Sequence, residues 1–132
     1  MSVIIRRLVG VYHADGGIRG ELAYAIGKLR GAAHCGLCDV THRGVRAKPE
    51  WTGLITRLAV PFTLVHLNER SEPVAAASAG RTPCVLAETD DGLILLLGPD
   101  QLDRVGGDVS RFAEALVDAA RAAGLALPQL NR

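Results

Sequence analysis

The sequence has few cysteines and no long hydrophobic run. Its three cysteines are an odd number, which argues against a framework of paired disulfides. No apolar stretch approaches the roughly 18 residues that identify a membrane-spanning helix. The charged residues Arg6 and Arg7 also interrupt the N-terminal segment too early for the apolar stretch of a secretory signal. We therefore expect a cytoplasmic protein, in which a stable structural disulfide is rare.

An excess of charge of either sign is also absent, with 15 basic residues against 14 acidic ones. Bulk electrostatics thus predict no nucleic acid and no membrane surface as a partner. Nucleotide-binding fingerprints are missing as well. Asp15 stands where the first glycine of a dinucleotide-binding motif belongs, and Gly27-Lys28 is followed by Leu29 rather than by Ser or Thr. The sequence predicts no nucleotide cofactor.

The apolar pattern predicts one α/β domain over residues 1–132, a normal length for a single domain. Residues 3–12 and 62–67 are predicted to be buried strands, because apolar and β-branched side chains run through them almost without interruption. Between these strands, apolar residues recur at helical spacing in 18–29 and again in 51–58. Parallel strands with crossover helices follow from this alternation.

The second half of the chain predicts an antiparallel unit. Asp90-Asp91-Gly92 separates two apolar runs, 84–89 and 93–97, and this arrangement is typical of a β-hairpin. A last helix is predicted over 110–123, with Ser110 as its cap, followed by a loosely held tail from Leu125. The predicted sheet is therefore mixed, with parallel strands first and a C-terminal antiparallel hairpin plus helix.

The predicted order of elements resembles the thioredoxin-like fold over most of the chain. Thr82-Pro83, directly before a strand, resembles the cis-proline position of that fold. The resemblance implies a single thioredoxin-like sandwich. In thioredoxin-like enzymes the cysteine pair follows a strand and opens a helix. Here Cys35 and Cys38 come after the first predicted helix, displaced from the usual position, and the residues behind them have poor helix propensity.

The strongest chemical signal is the segment His34-Cys35-Gly36-Leu37-Cys38-Asp39-Val40-Thr41-His42. Two thiols at this spacing can hold one soft metal ion, and sulfur with imidazole favours zinc or copper. Our first hypothesis is a metal site with Cys35 and Cys38 as ligands and His42 as the next ligand. A tetrahedral zinc site needs four ligands. The candidates for the remaining position are His66, Glu69, Cys84 or a solvent molecule.

A second hypothesis uses the same pair as a thiol–disulfide oxidoreductase that acts on protein thiols. One of Cys35 and Cys38 is then the nucleophilic thiolate and the other is the resolving thiol. The resemblance implies that Pro83 lies beside them and contacts the substrate. A third hypothesis is a non-catalytic interaction domain that uses the groove around Asp15. A thiol pKa well below about 8.5 favours redox chemistry, whereas thiols masked until a chelator is added favour a metal.

Polar residues collect where apolar strands are predicted to end. These residues are His13, His42 and His66, with Asp15 and Glu69 beside two of them. Because the C-terminal ends of parallel strands share one edge, where ligands usually bind, we expect Asp15, His42 and Glu69 around one crevice. Thr82-Pro83 is expected to form part of its wall. The expectation treats 38–42 as a parallel strand, which would put the cysteines at the opposite edge; a loop there would let the cysteines and histidines meet.

Overall fold

The computed structural model describes residues 3–13, 35–43 and 46–127. The strands in these ranges are β1 (Val3–Ile4), β2 (Arg7–Val11), β3 (His42–Arg43), β4 (Arg46–Ala47), β5 (Phe62–Val65), β6 (Cys84–Thr89), β7 (Gly92–Leu97) and β8 (Leu125–Ala126). The helices are α1 (Gly36–Thr41), α2 (Pro49–Arg57), α3 (Glu72–Ser78), α4 (Pro99–Val105) and α5 (Val109–Ala122), with a 3₁₀ turn at Leu67–Glu69.

The main sheet of the described residues has the strand order β5-β2-β6-β7. Strand β2 runs parallel to β5 and antiparallel to β6, and β6 and β7 form an antiparallel hairpin. Val11 at the end of β2 is paired with both Val65 and Cys84. The ends of β2 and β5 therefore meet the start of β6 at one edge of the sheet. These pairings confirm the α/β class, the mixed sheet and the C-terminal hairpin followed by a helix.

The sheet separates two apolar clusters, because side chains alternate between its faces. On one face, Leu8 and Tyr12 pack with helices α1, α2, α4 and α5, and aromatic rings interlock at Trp51, Phe62 and Phe112. On the other face, the cluster consists of buried residues from β2, β6 and α3, namely Val9, Val11, Val74, Cys84 and Leu86. In the part of the chain described, no helix has both the length and the apolar character to cross a membrane.

Helix α1 corrects the prediction of a strand at 38–42. The helix is short, and its last residues include the poor helix formers Val40 and Thr41. Packing holds it nonetheless: a Cβ at Gly36 would lie 3.0 Å from the Leu102 backbone, which is tighter than an ordinary contact, so glycine favours this close approach of α1 to α4. On the sheet side, Leu37 packs over Gly10, where a Cβ would lie 3.1 Å from the leucine side chain. Tertiary contacts therefore override local propensity.

Three further predictions about the ends of elements are wrong. The run 3–12 is two strands, because Val3–Ile4 leaves the main sheet and pairs in parallel with β8. In the tail predicted to be loose from Leu125 to Arg132, residues 125–127 are held there, with Leu127 0 % exposed, and 128–132 lie outside the described residues. Asp108, not Ser110, caps α5 by accepting a hydrogen bond from the Arg111 amide. The predicted helix over 18–29 lies outside the described residues.

Candidate functional site

The two cysteines of the Cys-x-x-Cys segment lie side by side at the start of α1. Cys35 is the N-cap residue of the helix. The Sγ atoms of Cys35 and Cys38 are 2.6 Å apart, with Cys38 as the donor, and the Cys38 amide donates to Cys35 Sγ at 3.3 Å. Both residues are thiols and not a disulfide. Cys35 is buried, whereas Cys38 is partly exposed.

Hydrogen-bond donors converge on the sulfur of Cys35. Besides the thiol and the amide of Cys38, the amide of His13 lies 3.5 Å away from the sulfur. Donors of this kind stabilise a thiolate. The bond from the Cys38 thiol is the largest cause that lowers the pKa of Cys35, to about 7, and burial opposes it. The buried sulfur of Cys35 therefore ionises more readily than an ordinary thiol.

A hydroxyl–imidazole network lies directly beside the pair. The Tyr12 hydroxyl is 2.8 Å from Thr41 Oγ1, which in turn is 2.6 Å from Nδ1 of His42. Burial raises the pKa of Tyr12 above its ordinary value, and negative charge on Cys38 and Cys35 raises it further. Tyr12 is thus a neutral phenol at physiological pH, electrostatically coupled to the thiols.

His13 connects the cysteine pair to the segment before β6. While its amide donates to Cys35, its ring Nδ1 is 2.8 Å from Thr82 Oγ1. The peptide bond between Thr82 and Pro83 is cis. The start of β6 therefore reaches the same edge as the end of β2, as the sequence predicts for Thr82-Pro83.

His66 and Glu69 form a polar pair on the other side of Tyr12. The His66 amide donates to Glu69 Oε1 at 2.8 Å, and Nδ1 of the same histidine is 2.7 Å from that oxygen. These hydrogen bonds lower the pKa of the exposed Glu69 carboxyl. The rings of Tyr12 and His66 have centroids 5.0 Å apart, and those of Tyr12 and His42 are 6.2 Å apart.

The residues predicted as metal ligands are only partly brought together. Cys35 and Cys38 are in contact, but Nδ1 of His42 is within hydrogen-bonding distance of the hydroxyls of Thr41 and Tyr12. Within 3–13, 35–43 and 46–127, no three His, Cys, Asp or Glu side chains are grouped in a way that could hold a metal ion. Cys84 lies in the cluster on the opposite face of the sheet.

The structure describes some, but not all, of the residues that are predicted to surround the crevice. His42 and Glu69 lie around the end of β2, with Tyr12 between them. His42 arrives there from helix α1 and not from a parallel strand. Asp15 and His34 lie outside the described residues.

Tyr12 and Thr41 are not among the residues that the sequence singles out. Tyr12 ends an otherwise apolar strand, and Thr41 stands in a β-branched run, so both fit a purely structural pattern. The one available signal is a phenol hydroxyl next to His13 at a strand end, since a buried tyrosine needs a polar partner.

The chain belongs to a family described as a domain of unknown function, DUF6907, whose model matches residues 30–125. The match includes the cysteine pair, His42, His66 and Thr82-Pro83, while Tyr12 and His13 precede it. No curated protein and no solved structure matches the chain.

Proposed function

We propose that this domain is a thiol–disulfide oxidoreductase of thioredoxin-like fold, with Cys35 and Cys38 as its redox pair. The observation that carries the proposal is the contact between the two sulfurs, 2.6 Å apart, with hydrogen-bond donors gathered on one of them. Two adjacent thiols, one of them readily ionised, are what reversible disulfide exchange requires.

The arrangement of the main sheet supports the fold part of the proposal. Parallel β2 and β5 are joined to the antiparallel β6 and β7, and α5 follows. The sequence places the cysteines after a predicted helix, which departs from thioredoxin-like enzymes. Helix α1 makes this difference smaller, because Cys35 caps a helix, as does the first cysteine of the pair in thioredoxin-like enzymes.

The proposed reaction moves two electrons and two protons. The dithiol reduces a substrate disulfide to two thiols and itself becomes the Cys35–Cys38 disulfide. A small-molecule dithiol or thiol then reduces that disulfide and restores the starting state. Thr82, joined to the pair through His13, forms the neighbouring surface that the substrate contacts, whereas Pro83 is buried behind it.

The test is the reduction of a disulfide-bonded protein such as insulin, with dithiothreitol as the reductant. We expect the domain to accelerate the reaction, and we expect Cys35→Ser and Cys38→Ser each to lower the rate to that of dithiothreitol alone. Cys84→Ser is the matched control and keeps the rate, because Cys84 lies on the other face of the sheet. No acceleration by the unaltered protein, or full activity in either single variant of the pair, would contradict the proposal.

A transition-metal site on the same sulfurs is a second candidate, favoured by the contact between two thiols of which one has a lowered pKa. Zinc or copper would take Cys35 and Cys38 as ligands. The described residues supply these two sulfurs, and tetrahedral zinc needs four ligands. Thiols of the purified protein that react only after a chelator is added would favour the metal.

A further inference from the structure

We propose that Cys38, and not Cys35, is the sulfur that becomes bonded to the substrate, and that Cys35 is the resolving sulfur. This inference rests on the proposed function and assigns a role to each member of the pair. The substrate class is a disulfide or thiol too large to enter the protein interior.

Access to the two sulfurs separates their roles. Cys35 is 0 % exposed, and its sulfur is surrounded by the amides of His13 and Cys38 and by the thiol of Cys38. Cys38 is partly exposed. Disulfide exchange requires the attacking thiolate to reach a sulfur atom of its partner, and only the sulfur of Cys38 belongs to a partly exposed residue.

The hydrogen bond between the sulfurs shows how the thiol of the partly exposed Cys38 can become the nucleophile. Cys35 first loses its proton to solvent. Because Cys38 donates to Cys35 Sγ, the Cys38 proton can then move along this bond and leave the thiolate on Cys38. The Cys38 thiolate attacks the substrate disulfide, forms one new S–S bond and expels one substrate thiolate. Cys35 then gives its proton to solvent and attacks Cys38 Sγ. The second substrate thiolate leaves, and the Cys35–Cys38 disulfide remains.

The reverse direction uses the same assignment. A substrate thiolate attacks Cys38 Sγ in the disulfide form, and Cys35 leaves as a thiolate. The lower the pKa of the leaving thiol, the faster it leaves. The backbone amides of His13 and Cys38 donate to the Cys35 sulfur, and they thus favour its departure.

The experiment uses the aromatic disulfide 5,5′-dithiobis(2-nitrobenzoate) on the full chain in a Cys84→Ser background. With both Cys35 and Cys38 present, we expect two equivalents of thionitrobenzoate to be released and an internal disulfide to form. With Cys35→Ser added, we expect one equivalent and a stable mixed disulfide on Cys38, located by mass spectrometry of peptides.

The decisive variant is Cys38→Ser in the same background. The serine hydroxyl can still donate to Cys35, so this variant retains the donor and removes the accessible sulfur. We expect Cys35 to react at least about tenfold more slowly than Cys38 does in the Cys35→Ser variant. Both variants should react equally fast after denaturation, which shows that burial causes the difference.

A Cys38→Ser protein that is native by circular dichroism and forms the mixed disulfide as fast as the Cys35→Ser protein would overturn the assignment. Failure of the parent protein to close its internal disulfide would overturn the proposed function itself. Closure of the disulfide by way of a mixed disulfide on Cys35 would overturn only the roles inferred for the two sulfurs.

Discussion

Two cysteines of this chain are equally buried and differ in their chemistry. Cys35 and Cys84 are both 0 % exposed, and they lie in apolar clusters on opposite faces of the same sheet. The pKa of Cys84 is raised by burial to about 11, although Arg70 and Arg81 partly oppose this. The pKa of Cys35 is instead lowered to about 7.

The difference comes from the hydrogen-bond donors. Burial penalises both thiolates in the same way, but the Cys35 sulfur accepts from the Cys38 thiol and from backbone amides. More distant arginine charges do not replace such contacts at Cys84. Donors thus make a buried thiol acidic, whereas burial without them makes it inert.

Cys38→Ala is expected to change the pKa difference between Cys35 and Cys84 the most, because it removes the strongest donor to Cys35. Only the backbone donors then oppose the effect of burial, so we expect the pKa of Cys35 to rise to the ordinary cysteine value of 9.0 or above. A rise of the pKa from about 7 to about 9 lowers the thiolate fraction at pH 7 from about one half to about 1 %, which is about 50-fold. Thiolate absorbance at 240 nm, followed against pH in a Cys84→Ser background, measures the change.

The matched control for that titration is Cys38→Ser, which keeps a hydroxyl donor at the same position. We expect its Cys35 pKa to lie between that of the parent and that of the alanine variant. If alanine leaves the pKa near 7, the contact with the Cys38 thiol is not what sets Cys35 apart from Cys84.

A smaller effect is expected in the pH dependence of folding stability. Between pH 7 and 9 the folded protein has lost the Cys35 proton while the unfolded chain still holds it, so stability rises with pH. Between pH 9 and 11 the unfolded chain loses the Cys84 proton first, so stability falls. Each slope is at most about 1.4 kcal/mol per pH unit.

Urea unfolding of the reduced protein measures both slopes. Cys35→Ser should remove the rise between pH 7 and 9 and leave the later fall. Cys84→Ser should remove the fall between pH 9 and 10 and leave the rise, whereas above pH 10 the raised pKa of Tyr12 also lowers stability. Equal pH profiles for the two variants would contradict the opposite pKa shifts.

Local sequence signals predicted much of the fold. Asp90-Asp91-Gly92 predicts the hairpin correctly, because Gly92 adopts the positive φ of 110° that such a turn needs. Helix α4 was missed, although Pro99 at its first turn is a recognised start signal. Helix α1 was not predictable from propensity, since Gly36 and Leu37 form it only by packing against α4 and β2.

The candidate site was predictable to a similar degree. The spacing of Cys35 and Cys38 directs attention to the right segment, and strand ends place His66 and Thr82 near it. No local pattern could show that Cys35 is buried while Cys38 is partly exposed. Nor could it show that the His13 amide donates to sulfur, because that contact joins residues 22 positions apart.

The most direct test of the account is the reduction potential of the Cys35–Cys38 pair, measured by equilibration with glutathione buffers and mass spectrometry. Stabilisation of the Cys35 thiolate favours the dithiol form, so we predict one internal disulfide with a potential less negative than about −270 mV, while Cys84 stays a thiol. A potential below about −300 mV, typical of structural disulfides, or a pair that stays open even with a strong small-molecule oxidant, would contradict the account.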